Sequence, residues 1–263
     1  MDLTAVIYSK EDGVANVTLN RPDHLNALDR SIQDDLAVIV DDLREDETVR
    51  AVLLSGNGRA FCAGGDIKSM LSGMKEAAVI NRKEQMSQAH QWVKKLAALE
   101  KPVVAAVHGY AVGAGMSMAM MADLIIASDD TQFSTAFAKI GLVPDLGALY
   151  FLPRLVGMAK AKELVLTAKY ISANEALEMG LINSVVKREN LIDEGLAVAK
   201  RLAAGPTKAL GMAKQALNKS METSFSDLLE LETYLQAVAV DTDDFKEGTA
   251  SFLEKRAPKF EGK

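Results

Sequence analysis

Short apolar runs rich in β-branched residues alternate along this chain with longer stretches in which apolar residues return at helical spacing. Such alternation predicts strands and helices in turn, and so a layered α/β core. Residues 6–8 and 14–19 read as a hairpin turned by Asp12 and Gly13. Ser31 is placed to cap a helix carrying Ile32, Leu36, Ile39, Val40 and Leu43 on one stripe, with Asp34 as its capping-box partner. Residues 49–54, 103–107 and 124–127 give buried strands, and 76–99 a long helix with Val79, Met86, His90, Val93, Leu96 and Ala97 near one face. A helix over 148–156 is expected to be interrupted at Pro153. Ser172 caps a helix over 173–179 that Gly180 stops, and 181–186 returns as a strand.

From Leu191 onward the pattern is helical throughout. Pro206 suits a first helical position, Ser224 caps residues 225–240, and Asp241 or Thr242 opens the last helix. Gly205-Pro206 divides an α/β core, residues 1–204, from a helical region, residues 205–263. That region has apolar positions without partners in so short a segment, so it is expected to dock on the core or on another subunit.

Two glycine clusters punctuate this pattern. Gly56, Gly58, Gly64 and Gly65 precede a helix start at Ile67, and Gly109, Gly113 and Gly115 lie between the strand at 103–107 and another helix. A helix opening leaves backbone N–H groups without internal partners, and glycine lets a ligand approach them. Close packing of backbone is the alternative reading. The spacing is neither that of a dinucleotide fingerprint nor that of a P-loop.

Composition narrows the class. The 263 residues are 49% hydrophobic and 25% charged, as in a globular protein able to bury a full core. No apolar run reaches bilayer length and the first residues lack secretory features, so a soluble cytoplasmic protein is expected. The net charge of −6 argues against a nucleic-acid partner. Cys62 is the single cysteine and the three histidines are scattered, so neither a disulfide nor a metal site is expected. With no activating histidine nearby, Cys62 reads as a buried apolar residue, and His90 as a helix-face residue. Asp145, between Pro144 and Gly147, suits a turn for local reasons alone.

Three stretches together resemble the crotonase superfamily of enoyl-CoA hydratases and isomerases: Phe61-Cys62-Ala63-Gly64-Gly65-Asp66-Ile67, then Val107-His108-Gly109-Tyr110-Ala111-Val112-Gly113-Ala114-Gly115, and Ile140-Gly141-Leu142-Val143-Pro144-Asp145. Arg21-Pro22 with Asn26-Ala27-Leu28, Ile171 to Ala176, and Phe252 to Arg256 extend the similarity over nearly the whole chain. The resemblance implies a spiral of ββα turns with a helical C-terminal region that builds a homotrimer or a dimer of trimers. It implies an acyl-CoA substrate, coenzyme A entering as part of the thioester with no tightly bound cofactor, and no membrane partner. It also implies an oxyanion hole of two backbone amides, placed at Ala63 and Ala114. Ala63, Gly64, Gly65, Asp66 and Ile67 would meet the pantetheine and adenine, with Gly113 beside the thioester. His24 and Leu25 would lie near the pyrophosphate, and Phe252 and Lys255 would come from a neighbouring subunit.

One departure shapes the expected reaction. Where the family's hydratases carry two glutamates, this chain has Ser117 and Phe137. Hydration needs groups to deprotonate water and to protonate the α-carbon, whereas moving a double bond needs one carboxylate as a shuttle. Asp145 matches the aspartate of the family's double-bond isomerases, so isomerisation of a 3-enoyl-CoA to a 2-enoyl-CoA is expected. The alternatives are hydration, another enolate-forming reaction such as ring opening or closure, and a non-catalytic acyl-CoA-binding subunit. Residues 70–78 and the surroundings of Leu149 are expected to shape the acyl pocket.

Overall fold

The computed structural model describes residues 1–74 and 79–263. A hairpin of β1 (Val6–Glu11) and β2 (Val14–Leu19) leads to α1 (Arg30–Glu45), then β3 (Ala51–Gly56), α2 (Ile67–Met74) and α3 (Val79–Ala97). Next come β4 (Val103–Val107), β5 (Tyr110–Val112) and the short α4 (Ala114–Ala119), then β6 (Leu124–Ser128), β7 (Gln132–Ser134) and α5 (Ala148–Thr167). After these follow β8 (Ile171–Ser172), α6 (Ala173–Glu178), β9 (Ser184–Val186) and α7 (Leu191–Ala203), and finally α8 (Thr207–Lys219), α9 (Phe225–Val240) and α10 (Asp243–Glu254).

The strands form a large sheet in the order β1-β2-β3-β4-β6-β9 and a small one in the order β5-β7-β8. Beyond the opening hairpin every pairing in the large sheet is parallel. Single bridges, Leu28 to Gly65 and Cys62 to Ala111, carry the small sheet's direction back toward the start of the chain. Each turn of the chain thus places one segment in the large sheet and one in the small sheet before its helix, which is the expected spiral.

Burial explains the apolar runs. Strands β3 and β4 are buried at every position, as parallel strands covered on both faces must be. One face packs with Leu36, Ile39 and Leu43 of α1 and with Trp92, Val93 and Leu96 of α3. The other packs under α7, where Leu191, Ala199 and Ala203 join Val14, Leu53, Val104 and Ala106. Residue 76, the expected start of the long helix, lies outside the described residues.

Local chemistry revises several expected boundaries. The cap of α1 is Asp29, which accepts from Ile32 N–H at 3.1 Å, while Ser31 donates its hydroxyl to Asp29 and Asp34 pairs with Arg30. Helix α5 runs past Pro153, whose ring holds a helical φ, and breaks at Gly157, where φ is 77° and ψ 157°. Pro206 stands just before α8 rather than inside it. Ser172, Ser224 and Thr242 cap their helices, Ser172 with a full capping box through Glu175.

The C-terminal helices are tied to the core by polar links. The Arg50 guanidinium donates to Gly205 O at 2.5 Å, to Phe260 O at 2.9 Å and to Thr207 Oγ1 at 2.9 Å. Lys214 reaches Asp123 at 2.7 Å. Phe225, Tyr234, Phe252 and Leu253 nevertheless stay exposed in the single chain. No described helix is long and apolar enough to cross a membrane.

Candidate active site

The two glycine loops are wedged against each other. Segment 61–65 lies between Leu28 and β5. On one side Cys62 N–H donates to Tyr110 O and Val112 N–H to Cys62 O, each at 3.0 Å; on the other, Leu28 N–H donates to Gly64 O at 2.7 Å and Asp66 N–H to Leu28 O at 3.1 Å. Side chains are excluded where the loops meet. A Cβ on Gly115 would sit 2.1 Å from Cys62 O, and one on Gly64 would sit 3.0 Å from Val112 O and 3.9 Å from Ala114 N. Close packing and a set of approachable amides are therefore the same feature, because the contact that demands glycine also brings the two bends together.

Asn26 organises the loop behind this contact. Fully buried, it accepts from Arg21 N–H at 2.8 Å and donates to Asn57 O at 2.9 Å and Ala60 O at 2.8 Å. Its amide group thus ties residues 21–26 to residues 57–60. The Asn26-Ala27-Leu28 motif marked this position in the sequence, but its role in holding the loop was not read there.

The free amides differ from those expected. Ala63 N–H donates to Leu25 O at 3.0 Å, so it is already engaged and is not open to a ligand. Parallel pairing with Leu28 uses Gly64 O and Asp66 N–H, which turns the N–H of Gly65 to the opposite edge, toward β5 and α4. On the second bend Gly113 N–H donates to Ser134 O at 2.8 Å, and the next amide is that of Ala114. Among the described residues neither Gly65 N–H nor Ala114 N–H meets an acceptor. Gly64 N–H faces the Cys62 sulfur, where it opposes part of the rise in that thiol's pKa, and Gly65 is the residue that the ladder turns the other way. Gly65 and Ala114, one on each bend, are thus the candidate pair of open amides.

Neither Ser117 nor Phe137 offers an acid. The Ser117 hydroxyl is fully buried and donates to Gly113 O at 3.1 Å. The buried Phe137 ring lies against the second bend, 3.8 Å from where a Cβ on Gly113 would stand. Asp145 follows on the same segment, in a turn just ahead of α5, which packs on α4. Leu146 holds that turn with a positive φ of 49° and a side chain only 3% exposed. Burial pushes the Asp145 carboxyl above the usual carboxylate range, and the charge of His90 on α3 opposes part of that rise. Asp145 Oδ1 is buried without a hydrogen-bond partner among the described residues. A carboxylate so placed is a competent proton acceptor.

The other expected residues are spread more widely. Leu25 supplies the carbonyl that holds Ala63, and His24 is exposed at the end of a single 3₁₀ turn. Asp66 accepts from Ser69 N–H at 3.0 Å at the start of α2 and stands 3.7 Å from Arg21; these partners hold its carboxyl below the usual range. Ile67 and Leu149 are exposed, and the Met70 sulfur lies 3.4 Å from where a Cβ on Gly65 would be. Residues 75–78 of the expected acyl pocket lie outside the described residues. Phe252 and Lys255 sit on α10 and at its C-terminal cap, and no described hydrogen bond joins them to the glycine loops.

A family model described as enoyl-CoA hydratase/isomerase matches residues 9–263. The chain is 39% identical over 258 residues to the 1,2-epoxyphenylacetyl-CoA isomerase of Escherichia coli, covering 98% of each. It is 37% identical over 263 residues to the short-chain-enoyl-CoA hydratase of Clostridium acetobutylicum, covering 100% of this chain and 98% of that one. A solved structure of an enoyl-CoA hydratase from Polaromonas sp. JS666 matches with a TM-score of 0.93 at 30% identity, covering 98% of this chain and 100% of that one. With a family match, relatives of both kinds and a shared fold along nearly its full length, this chain belongs to the enoyl-CoA hydratase/isomerase family of the crotonase superfamily.

Proposed function

We propose that this protein shifts a carbon–carbon double bond in an enoyl-CoA, with Asp145 as proton shuttle and the amides of Gly65 and Ala114 as the oxyanion hole. In a 3-enoyl thioester the C2–H bond breaks and its proton passes to the Asp145 carboxylate. The electron pair moves into the thioester carbonyl, whose oxygen takes up negative charge facing the two N–H groups. The proton is then delivered to C4 as the double bond settles between C2 and C3. One such donor typically contributes about 3 to 4 kcal/mol to lowering the barrier, and one carboxylate suffices for an enolising shuttle, as in ketosteroid isomerase.

The observation that carries this reading is the contrast in side chains. The two family positions for an acid hold a backbone-engaged hydroxyl and a phenyl ring, while Asp145 is a partly buried carboxylate whose Oδ1 meets no hydrogen-bond partner among the described residues. Coenzyme A enters as part of the substrate, along the edge formed by His24, Leu25 and residues 63–67. Phe252 and Lys255 reach it from a neighbouring copy, in an assembly that covers the exposed apolar residues of α9 and α10.

Conjugated-thioester absorbance tests the reaction type. Absorbance is expected to rise when the protein meets a 3-enoyl-CoA. Rapid loss of absorbance from a 2-enoyl-CoA with no gain from the 3-enoyl substrate would make it a hydratase. A second reading is supported by the Escherichia coli relative, named for isomerising an epoxide thioester: the same amides and Asp145 would serve a ring opening or closure through an enolate. Turnover of an epoxyphenylacetyl-CoA without turnover of linear 3-enoyl-CoA selects it.

A further inference from the structure

We infer that Ser117 is a positioning residue that sets the aim and donor strength of the Ala114 amide. The inference rests on the proposed oxyanion hole and deepens it. Gly113 O belongs to the same peptide group as Ala114 N–H. That oxygen accepts Ser117 N–H at 3.0 Å and the Ser117 hydroxyl at 3.1 Å. Two donors on the carbonyl draw electron density along the amide, which makes its N–H a stronger donor at the other end.

They also hold the peptide plane. Gly113 has φ 53° and ψ −120°, outside helical geometry, so the preceding chain does not hold this peptide plane, and the Ser117 hydroxyl adds a second donor to the first-turn bond that does. A serine bonding back to the fourth preceding carbonyl gives a helix interior no stability, and alanine would fill the same place with no polar atom to bury. Packing alone therefore leaves the hydroxyl without a purpose.

The first bend is built the same way. Gly64 O, in the peptide group of Gly65 N–H, accepts Leu28 N–H at 2.7 Å and the fully buried Cys62 thiol at 3.8 Å. Each proposed oxyanion donor thus has a backbone donor and a buried side-chain donor on the oxygen behind it. The hydroxyl is the stronger of the two side-chain donors.

The test compares wild type, Ser117→Ala and Ser117→Cys. The probe is the CoA thioester of 4-(dimethylamino)cinnamic acid, which absorbs at longer wavelength as its carbonyl is polarised. Wild type is expected to shift the bound probe to longer wavelength, Ser117→Ala to shift it less, and Ser117→Cys to fall between. With 3-enoyl-CoA, kcat of Ser117→Ala is expected to drop roughly tenfold with KM nearly unchanged, short of the roughly hundredfold loss from deleting a donor outright. A full wild-type shift and wild-type kcat in Ser117→Ala overturn the inference and leave the amide pair standing. No shift in wild type overturns the amide pair and the inference with it. If the alanine variant does not fold, the cysteine variant decides between the same outcomes.

Discussion

The Ala63 N–H donates to the Leu25 carbonyl at 3.0 Å, so the alanine of the first glycine loop is bound by its own protein rather than open to a ligand. The neighbouring ladder leaves the Gly65 N–H turned away from Leu28, and the proposed oxyanion hole pairs it with Ala114. Gly65→Pro, which deletes the N–H, is therefore expected to lower kcat about 10²- to 10³-fold. Gly65→Ala keeps the N–H, and its Cβ meets only the flexible Met70 sulfur at 3.4 Å, so most of the activity is expected to survive. Steady-state rates on a 3-enoyl-CoA, with circular dichroism as a folding check, separate the two.

As the proposed base, Asp145 is expected to govern the acid side of the pH profile. Burial raises its pKa, so kcat/KM is expected to fall with decreasing pH at values above the usual carboxylate range. His90→Leu removes a charge that holds that pKa down, and moves the acid limb to higher pH. Rate profiles of the two proteins between pH 4 and 8 give the comparison, pH 4 lying near the ordinary carboxylate value.

His108 makes a stability prediction that is independent of catalysis. Burial, helped by the charge of Arg188, holds its pKa down to about 4. The unfolded chain has the ordinary value of about 6.5 and so binds the proton first. The contribution of a neutral His108 is thus complete above pH 6.5 and is lost as pH falls toward 4. The loss is on the order of 1–2 kcal/mol, because solvent screens part of the penalty. Denaturant unfolding of His108→Gln is expected to show a flatter dependence over this window.

Cys62 is expected to be inert. It is fully buried, and burial raises its thiol to about 11, leaving almost no thiolate at neutral pH. Thiol reagents are expected to label it only at the rate of unfolding. Fast labelling of the native protein by a small alkylating agent would contradict the burial and the packing of Gly115 on Cys62 O.

The strands of the large sheet and most caps were legible because local chemistry decides them: β3 and β4 are unbroken apolar runs, and Ser172, Ser224 and Thr242 sit where their helices begin. The two- and three-residue strands β5, β7 and β8 were not read, because so short a segment carries no periodicity of its own. The first cap was not. Asp29 and Ser31 are both suitable residues, and the choice falls to Asp29 because Leu28 is still extended against Gly64 and Gly65. Likewise Pro153 and Gly157 both signal a helix break, and only the glycine takes the φ that makes one.

The candidate site was legible as two glycine loops and an aspartate, but not as a particular pair of amides. Which N–H is free depends on pairing between residues 37 positions apart, Leu28 and Gly65, and no local pattern encodes that register. Ser117 was legible only as a helix residue, since its hydroxyl's bond to Gly113 O belongs to the folded turn.

Exchange of the α-hydrogens of a saturated acyl-CoA with deuterium oxide, followed by proton NMR, tests the enolate-forming site most directly, because it needs neither a double bond nor a particular product. Wild type is predicted to incorporate deuterium at C2, and Asp145→Asn to do so about 10²- to 10⁴-fold more slowly while still binding the thioester. Equal exchange in the two proteins, or none above the uncatalysed rate in wild type, would contradict the assignment of Asp145 as the base.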